Sequence, residues 1–411
     1  MAKSSPSRTA LFSILALAAA ALATLALAEA ILRVVPRFAR SAALPDYGDA
    51  VRTDGLGPGG LLREGFSGSL TDGLGGRISW TNNAAGFRSR EETSKTPAPG
   101  AFRVLSMGDS FTAGYRVDQE ATFSRLLEKA LRSRGVPAEV LIAETEQPST
   151  GLWWLLHGGF DWRPSLVVLG VTLGNDVAQS FFSVDPPGDY TIEIRDGGVA
   201  MERLASPTPL RDRPEFALQL PPSALLPGAP ETVSPAHRPL RLLDLLLGPL
   251  PQPIAPSRGA SSPRFLFDGV NGLGIYLKDP PPQIVLAFDR LDRTLLAFAV
   301  ATRARGIGFL AVLFPQRFEV QPDDWAATVR AYGLAAAAFD LEAPGRRLTA
   351  YCAANGIPCL DLSGPLREEH ARTGRSLYLP GGDMHWSAVG HRAAATALLP
   401  AVRSRVPPPS P

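Results

Sequence analysis

Apolar residues concentrate in five short runs, Phe102 to Met107, Val140 to Ala143, Leu166 to Leu173, Gly308 to Phe314 and Pro358 to Leu362. Each run is bounded by polar or turn-forming residues, the signature of a strand buried on both faces. The stretches between them carry helical spacing instead. Thr122 to Arg134 is amphipathic and stops before Gly135, Val285 to Arg305 stops before Gly306, and Ser387 to Val402 closes the pattern. Strands alternating with helices predict a mostly parallel five-stranded sheet covered on both faces. The expected fold is therefore α/β, a three-layer α/β/α sandwich over residues 101–405.

Three regions lie outside this alternation. Ala10 to Ala28 is uncharged and long enough to cross a bilayer core as a helix, with Lys3 and Arg8 before it. Ala26-Leu27-Ala28 also fits a signal cleavage site, but apolar sequence resumes at Ala30 to Leu32, so an uncleaved signal anchor over 1–35 is expected. Either way the remainder is sent outward, on the cell membrane as a single-pass protein or secreted if cleaved. Residues 36–100, rich in Gly, Ser and Asp, predict a membrane-proximal stalk with short strands. From about 183 to 282 the alternation stops among Pro pairs; a hairpin at 190–201 and a short helix at 240–250 are expected there, in an insertion that reads either as a substrate-shaping cap or as a surface decoration.

Composition narrows the partners. Net charge is +2, and the 41 basic residues, of which only Lys3, Lys95, Lys129 and Lys278 are lysines, form no dense run. No nucleic-acid footprint is present. Two cysteines, Cys352 and Cys359, are too few for a disulfide scaffold and lack zinc-site spacing. They read either as a bridge in an oxidising compartment or as two small buried side chains. No metal and no cofactor are implied.

Candidate chemistry gathers at strand ends, where open α/β sheets bind ligands. Gly108-Asp109-Ser110 follows the first strand and precedes a helix, exposing a hydroxyl beside backbone N–H groups, although a serine there also serves as a helix cap. Gly174-Asn175-Asp176 follows the third strand, and its amide is placed to donate to an oxyanion or simply to form a turn. Asp383 and His385 share one loop before the last helix, a carboxylate within reach of an imidazole whose orientation it would fix. His391 reads as packing or capping, and His157 and His370 carry no such context.

The blocks GDSFTAG, GND and DMHW, in this order and spacing, resemble the SGNH/GDSL hydrolase superfamily over roughly residues 84 to 402. NAAGFR at 83–88, Tyr115 to Asp118, and the tail GIPCLDL…YLPGGDMHWSAVGHRAAA resemble bacterial membrane-anchored members. The resemblance implies Ser110 as nucleophile, His385 as base, Asp383 as its support, and the Ser110 N–H with Asn175 lining the oxyanion hole. Two positions depart from it. Where the family carries an oxyanion glycine this chain aligns Glu144, and Asp383-Met384-His385 is one residue shorter than the commonest spacing, as in polysaccharide O-acetylation proteins. The implied activity is hydrolysis of short acyl esters, such as O-acetyl groups of envelope carbohydrate. An O-acetyltransferase and a catalytically silent envelope-binding module are the rival expectations.

Overall fold

The computed structural model describes residues 8–39, 47–52, 54–71, 76–184, 189–204, 218–228, 272–380 and 382–408. Its centre is a five-stranded sheet in the order β4-β3-β5-β8-β9, every neighbouring pair parallel. Among the described residues the strands in chain order are β1 (Ser67–Thr71), β2 (Arg77–Thr81), β3 (Phe102–Gly108), β4 (Ala138–Glu144), β5 (Leu166–Thr172), β6 (Tyr190–Arg195), β7 (Gly198–Arg203), β8 (Gly308–Phe314) and β9 (Cys359–Asp361).

The strand period of two sends alternate residues to opposite layers. Leu105, Met107, Val167, Leu169, Val171, Ala311 and Leu313 join one core, covered by the helices Pro148–His157, Leu173–Ser183 and Pro282–Arg303. Val104, Val140, Val168, Leu310 and Val312 join the other, under Phe123–Arg132, Ser363–Thr373 and Ala388–Arg403. The three-layer sandwich expected from the sequence is present. From β3 the chain passes first to β4 on one side and then to β5 on the other, which opens a crevice at the carboxyl ends of β3 and β5.

The segment before β3 contains the expected short strands, β1 pairing antiparallel with β2. It does not stand apart as a stalk. Leu62, Leu70, Ile78 and Trp80 form a small core with Ala113 of the β3 exit, and Gly60 bridges in parallel to Glu144, extending the sheet edge beyond β4. Trp154 and Trp162 donate their indole N–H groups to the carbonyls of Gly57 (2.9 Å) and Pro58 (3.0 Å). Polar backbone at an open sheet edge must be paired, and this segment does so.

In the insertion, β6 and β7 form the expected hairpin, while the helix expected at 240–250 lies outside the described residues. Arg8–Ala39 is one continuous helix. Its side chains are described from residue 16 to 31, and among the described residues no helix is long and apolar enough to cross a membrane.

Candidate active site

Three loops at the carboxyl edge converge on one point. β3 runs straight into a short helix, Ser110–Ala113, whose cap is Asp109: the Asp109 carboxylate accepts the Phe111 N–H at 2.9 Å. Gly108 permits the tight exit, because a Cβ there would meet Thr112 Oγ1 at 2.5 Å. Ser110 is thereby left half-buried with its hydroxyl facing the crevice.

The second loop spans Leu377 to Ser387. Leu379 N–H donates to the His385 carbonyl (2.8 Å), Ser387 N–H donates to the Leu377 carbonyl (2.9 Å), and Tyr378 bridges to Trp386, so the loop closes as a small hairpin. Arg317, at the exit of β8, donates to the carbonyls of Asp383 (2.9 Å) and Leu379 (3.1 Å) while paired with buried Asp324 at 3.0 Å. That guanidinium ties the loop to the sheet.

The result is a relay. Ser110 Oγ lies 2.7 Å from His385 Nε2, and His385 Nδ1 lies 2.7 Å from Asp383 Oδ1. An Nδ1–H donated to the carboxylate leaves Nε2 bare, the tautomer that accepts a proton from Ser110. Asp383 Oδ1 also accepts the His385 backbone N–H at 2.9 Å, and Oδ2 meets Arg116 at 3.1 Å. Burial pushes the Asp383 carboxyl up, but the His385 hydrogen bonds and the Arg116 charge carry it below the ordinary carboxylate value. The imidazole is flanked by Phe111, ring centroids 4.9 Å apart, and by Tyr115 at 4.3 Å.

Asn175, in the first turn of the helix after β5, is the third element. Its Nδ2 donates to Asp109 Oδ2 at 3.1 Å, which uses one of two amide hydrogens and orients the other. Asp176 accepts the Thr172 N–H at 2.7 Å and so shapes the turn that presents Asn175. Burial raises the Asp176 carboxyl well above its ordinary value, the neighbouring Asp109 charge adding to this. Asp109 too is raised by burial, against the hydrogen bond from Asn175.

Glu144 departs from the oxyanion position expected for it. It belongs to β4, in register with Gly108; its carbonyl accepts the Leu61 N–H at 2.7 Å, and its side chain turns away to accept the Tyr47 hydroxyl. Burial pushes its carboxyl up to about 8 despite that hydrogen bond. The backbone reversal falls two residues later, where Glu146 has φ +64°. Thr145 N–H donates to the Gly108 carbonyl at 2.7 Å, setting this turn beside Ser110, and the Glu146 N–H meets no acceptor among the described residues. A left-handed backbone with a free N–H is what a glycine would supply.

His391 caps locally, accepting the Phe123 N–H at Nδ1 (3.2 Å), and burial lowers its pKa to about 3. His157 and His370 bond only to nearby carbonyls, of Trp153 and Arg375. Cys352 and Cys359 are free thiols. Among the described residues no group of three or more His, Cys, Asp or Glu is placed to hold a metal ion. Reading the sequence missed Arg116, Arg317 and Glu146; non-glycine residues at positive φ, such as Arg116 and Glu146, leave no compositional trace.

No family model and no curated protein matches this sequence. Among solved structures, an acetyl xylan esterase is similar at a TM-score of 0.38 and 12% identity, over 73% of this chain and 99% of that one. A GDSL-like lipase from Bacteroides thetaiotaomicron is similar at 0.33 and 12% identity, over 75% and 91% of the two chains. A catalytic mutant of an acetylxylan esterase from Geobacillus stearothermophilus is similar at 0.36 and 12%, over 74% and 93%.

Proposed function

We propose that the chain is a serine ester hydrolase working through an acyl-enzyme on Ser110. The observation that carries this is the unbroken run from Ser110 Oγ to His385 Nε2 and from His385 Nδ1 to Asp383, both at 2.7 Å. Ser110 Oγ bonds to the ester carbonyl carbon as its proton passes to Nε2. The alkoxide leaves with that proton, and a water, deprotonated by the same nitrogen, releases the acid. Asn175 Nδ2 and the N–H groups of Ser110 and Glu146 serve the oxyanion; one such donor is worth about 3 kcal/mol of transition-state stabilisation. Short acyl esters, such as O-acetyl groups on envelope carbohydrate, are the substrates proposed.

The test is kinetic. Ser110→Ala and His385→Ala each remove nearly all hydrolysis of a short-chain aryl ester, and the double variant is scarcely worse, because the pair acts as a unit. Retention of more than about a tenth of the rate by Ser110→Ala contradicts the serine mechanism. An O-acetyltransferase using the same residues is the second reading, favoured by the short Asp383-Met384-His385 spacing. Product that forms only when a sugar acceptor is added selects it.

We also propose that the Arg8–Ala39 helix spans the membrane with the catalytic domain extracytoplasmic. Supporting this, residues 10–28 carry no charge and Leu17, Leu22 and Leu27 are each more than 60% exposed, an arrangement suited to lipid. An alkaline phosphatase fusion after Pro411 is then active in a bacterial host. An inactive fusion beside an active cytoplasmic reporter reverses the topology.

A further inference from the structure

The segment that follows the N-terminal helix reaches the histidine through two rings. Tyr47 stands at the start of the Tyr47–Ala50 turn, and its hydroxyl donates to Glu144 at the end of β4. Its ring meets Trp80 edge-on at 5.3 Å and Tyr115 edge-on at 5.0 Å. Tyr115 in turn lies 4.3 Å from the His385 ring, tilted by 45°, and Phe111 lies 4.9 Å from the same ring.

The backbone carrying Tyr115 is held from the same side. Tyr115 N–H donates to the Ser110 carbonyl at 2.9 Å. Arg88, packed over the Trp80 ring at 3.6 Å, donates to the carbonyls of Ala113, Gly114 (2.8 Å) and Val117 (2.6 Å). The ring itself is held by its neighbours: Tyr47 meets it edge-on at 5.0 Å, and the Arg116 guanidinium lies over it at 4.7 Å from the centroid. Edge-to-face contacts are directional, so Tyr47, together with Arg116, constrains the angle at which Tyr115 faces the imidazole. Aromatic faces favour a cation, and the cation formed during acyl transfer is the imidazolium of His385.

We propose that Tyr47 is a positioning residue: by bracing Tyr115 against His385 it holds the imidazole in line between Ser110 and Asp383. Tyr47 is then part of the site, and a residue of the segment that follows the N-terminal helix in sequence constrains the geometry of the base. This rests on the reading of Ser110 and His385 as nucleophile and base.

The experiment uses the full chain with Tyr47→Leu, Tyr47→Phe, Tyr115→Leu and the Tyr47→Leu/Tyr115→Leu pair. For each, kcat and KM on an aryl ester are measured per site reactive to a serine-directed phosphonate, alongside the melting temperature. Tyr47→Leu lowers kcat by about tenfold with KM within about twofold, and Tyr47→Phe, which keeps the ring, restores kcat to within about threefold of wild type. In the Tyr115→Leu background, Tyr47→Leu changes kcat by less than about twofold, since the bracing has nothing left to act on. A Tyr47→Leu that melts earlier but keeps its kcat per reactive site overturns the proposal, as do losses that multiply in the pair. If Tyr47→Leu does not fold, Tyr115→Leu alone decides: wild-type kcat there overturns the proposal, and a loss of about tenfold upholds it. Failure of the wild type itself to react with the phosphonate overturns the serine reading beneath it, and is distinguishable from all of these.

Discussion

Two carboxyls near the sheet edge end in opposite states. Asp383, in the 377–387 hairpin, receives two hydrogen bonds from His385 and faces Arg116, and lies below the ordinary carboxylate value. Glu144, at the end of β4, receives one phenol and is pushed up to about 8. Glu144 is buried and Asp383 is half-buried. What separates them is the number of donors and cations aimed at the carboxylate, which decides whether burial ends in a charge or a neutral acid. The charged one stands 2.7 Å from the imidazole, where it favours a positive ring.

The strongest way to break this contrast is Asp383→Asn. The amide keeps the shape but no longer imposes the Nδ1–H tautomer, and kcat is expected to fall on the order of 10³–10⁴-fold on an aryl ester. A loss under about tenfold would show that the carboxylate is not what orients His385. Next is Arg116→Gln, which removes the cation but leaves the His385 hydrogen bonds; the pair is partly exposed, so about a tenfold loss in kcat/KM is expected. Losing that charge lets the Asp383 carboxyl rise, so the low-pH limb of the rate profile moves to higher pH. A limb that does not move contradicts the role of Arg116.

Glu144 sharpens the other side. Below its ordinary value of 4.5 both folded and unfolded chains hold the proton, and its contribution to stability is complete. Between 4.5 and about 8 the unfolded chain ionises while the folded one does not, so stability is lost as pH rises; above about 8 the loss is constant. Glu144→Gln removes this titration. Thermal unfolding of the two proteins should therefore diverge from pH 5 to pH 8 with the variant gaining, and parallel curves would mean the carboxyl is already charged in the fold. The smallest effect belongs to Glu146→Gly. It keeps the backbone N–H and relieves a left-handed residue, so kcat/KM changes by less than about threefold, whereas a loss beyond about tenfold would assign work to the side chain.

The sheet was legible because each core strand is apolar on both faces. Phe102 to Met107 and Gly308 to Phe314 lie in β3 and β8 within a residue of the expected bounds. The helices Leu173–Ser183 and Ser363–Thr373 were not, since one begins within an apolar run and the other carries few apolar residues. Ser110, Asn175, Asp383 and His385 stood out by residue type and spacing, and the structure brings them together at the carboxyl edge of the sheet. Glu144 was misplaced because alignment of short blocks does not fix where a strand stops: β4 continues through residue 144, and the reversal comes at Glu146. Arg317 and Tyr47 act across long separations in sequence, on hairpin carbonyls and on an aromatic edge, contacts that local pattern does not encode.

Ser110 and His385 are 275 residues apart, and the last helix, which follows the His385 loop, packs against Phe123–Arg132. A chain still leaving the ribosome, or one clipped before residue 385, holds Ser110 without His385. Reactivity toward a serine-directed phosphonate thus doubles as a count of finished molecules: labelling during synthesis should begin only after residue 385 has emerged and the closing helix has docked.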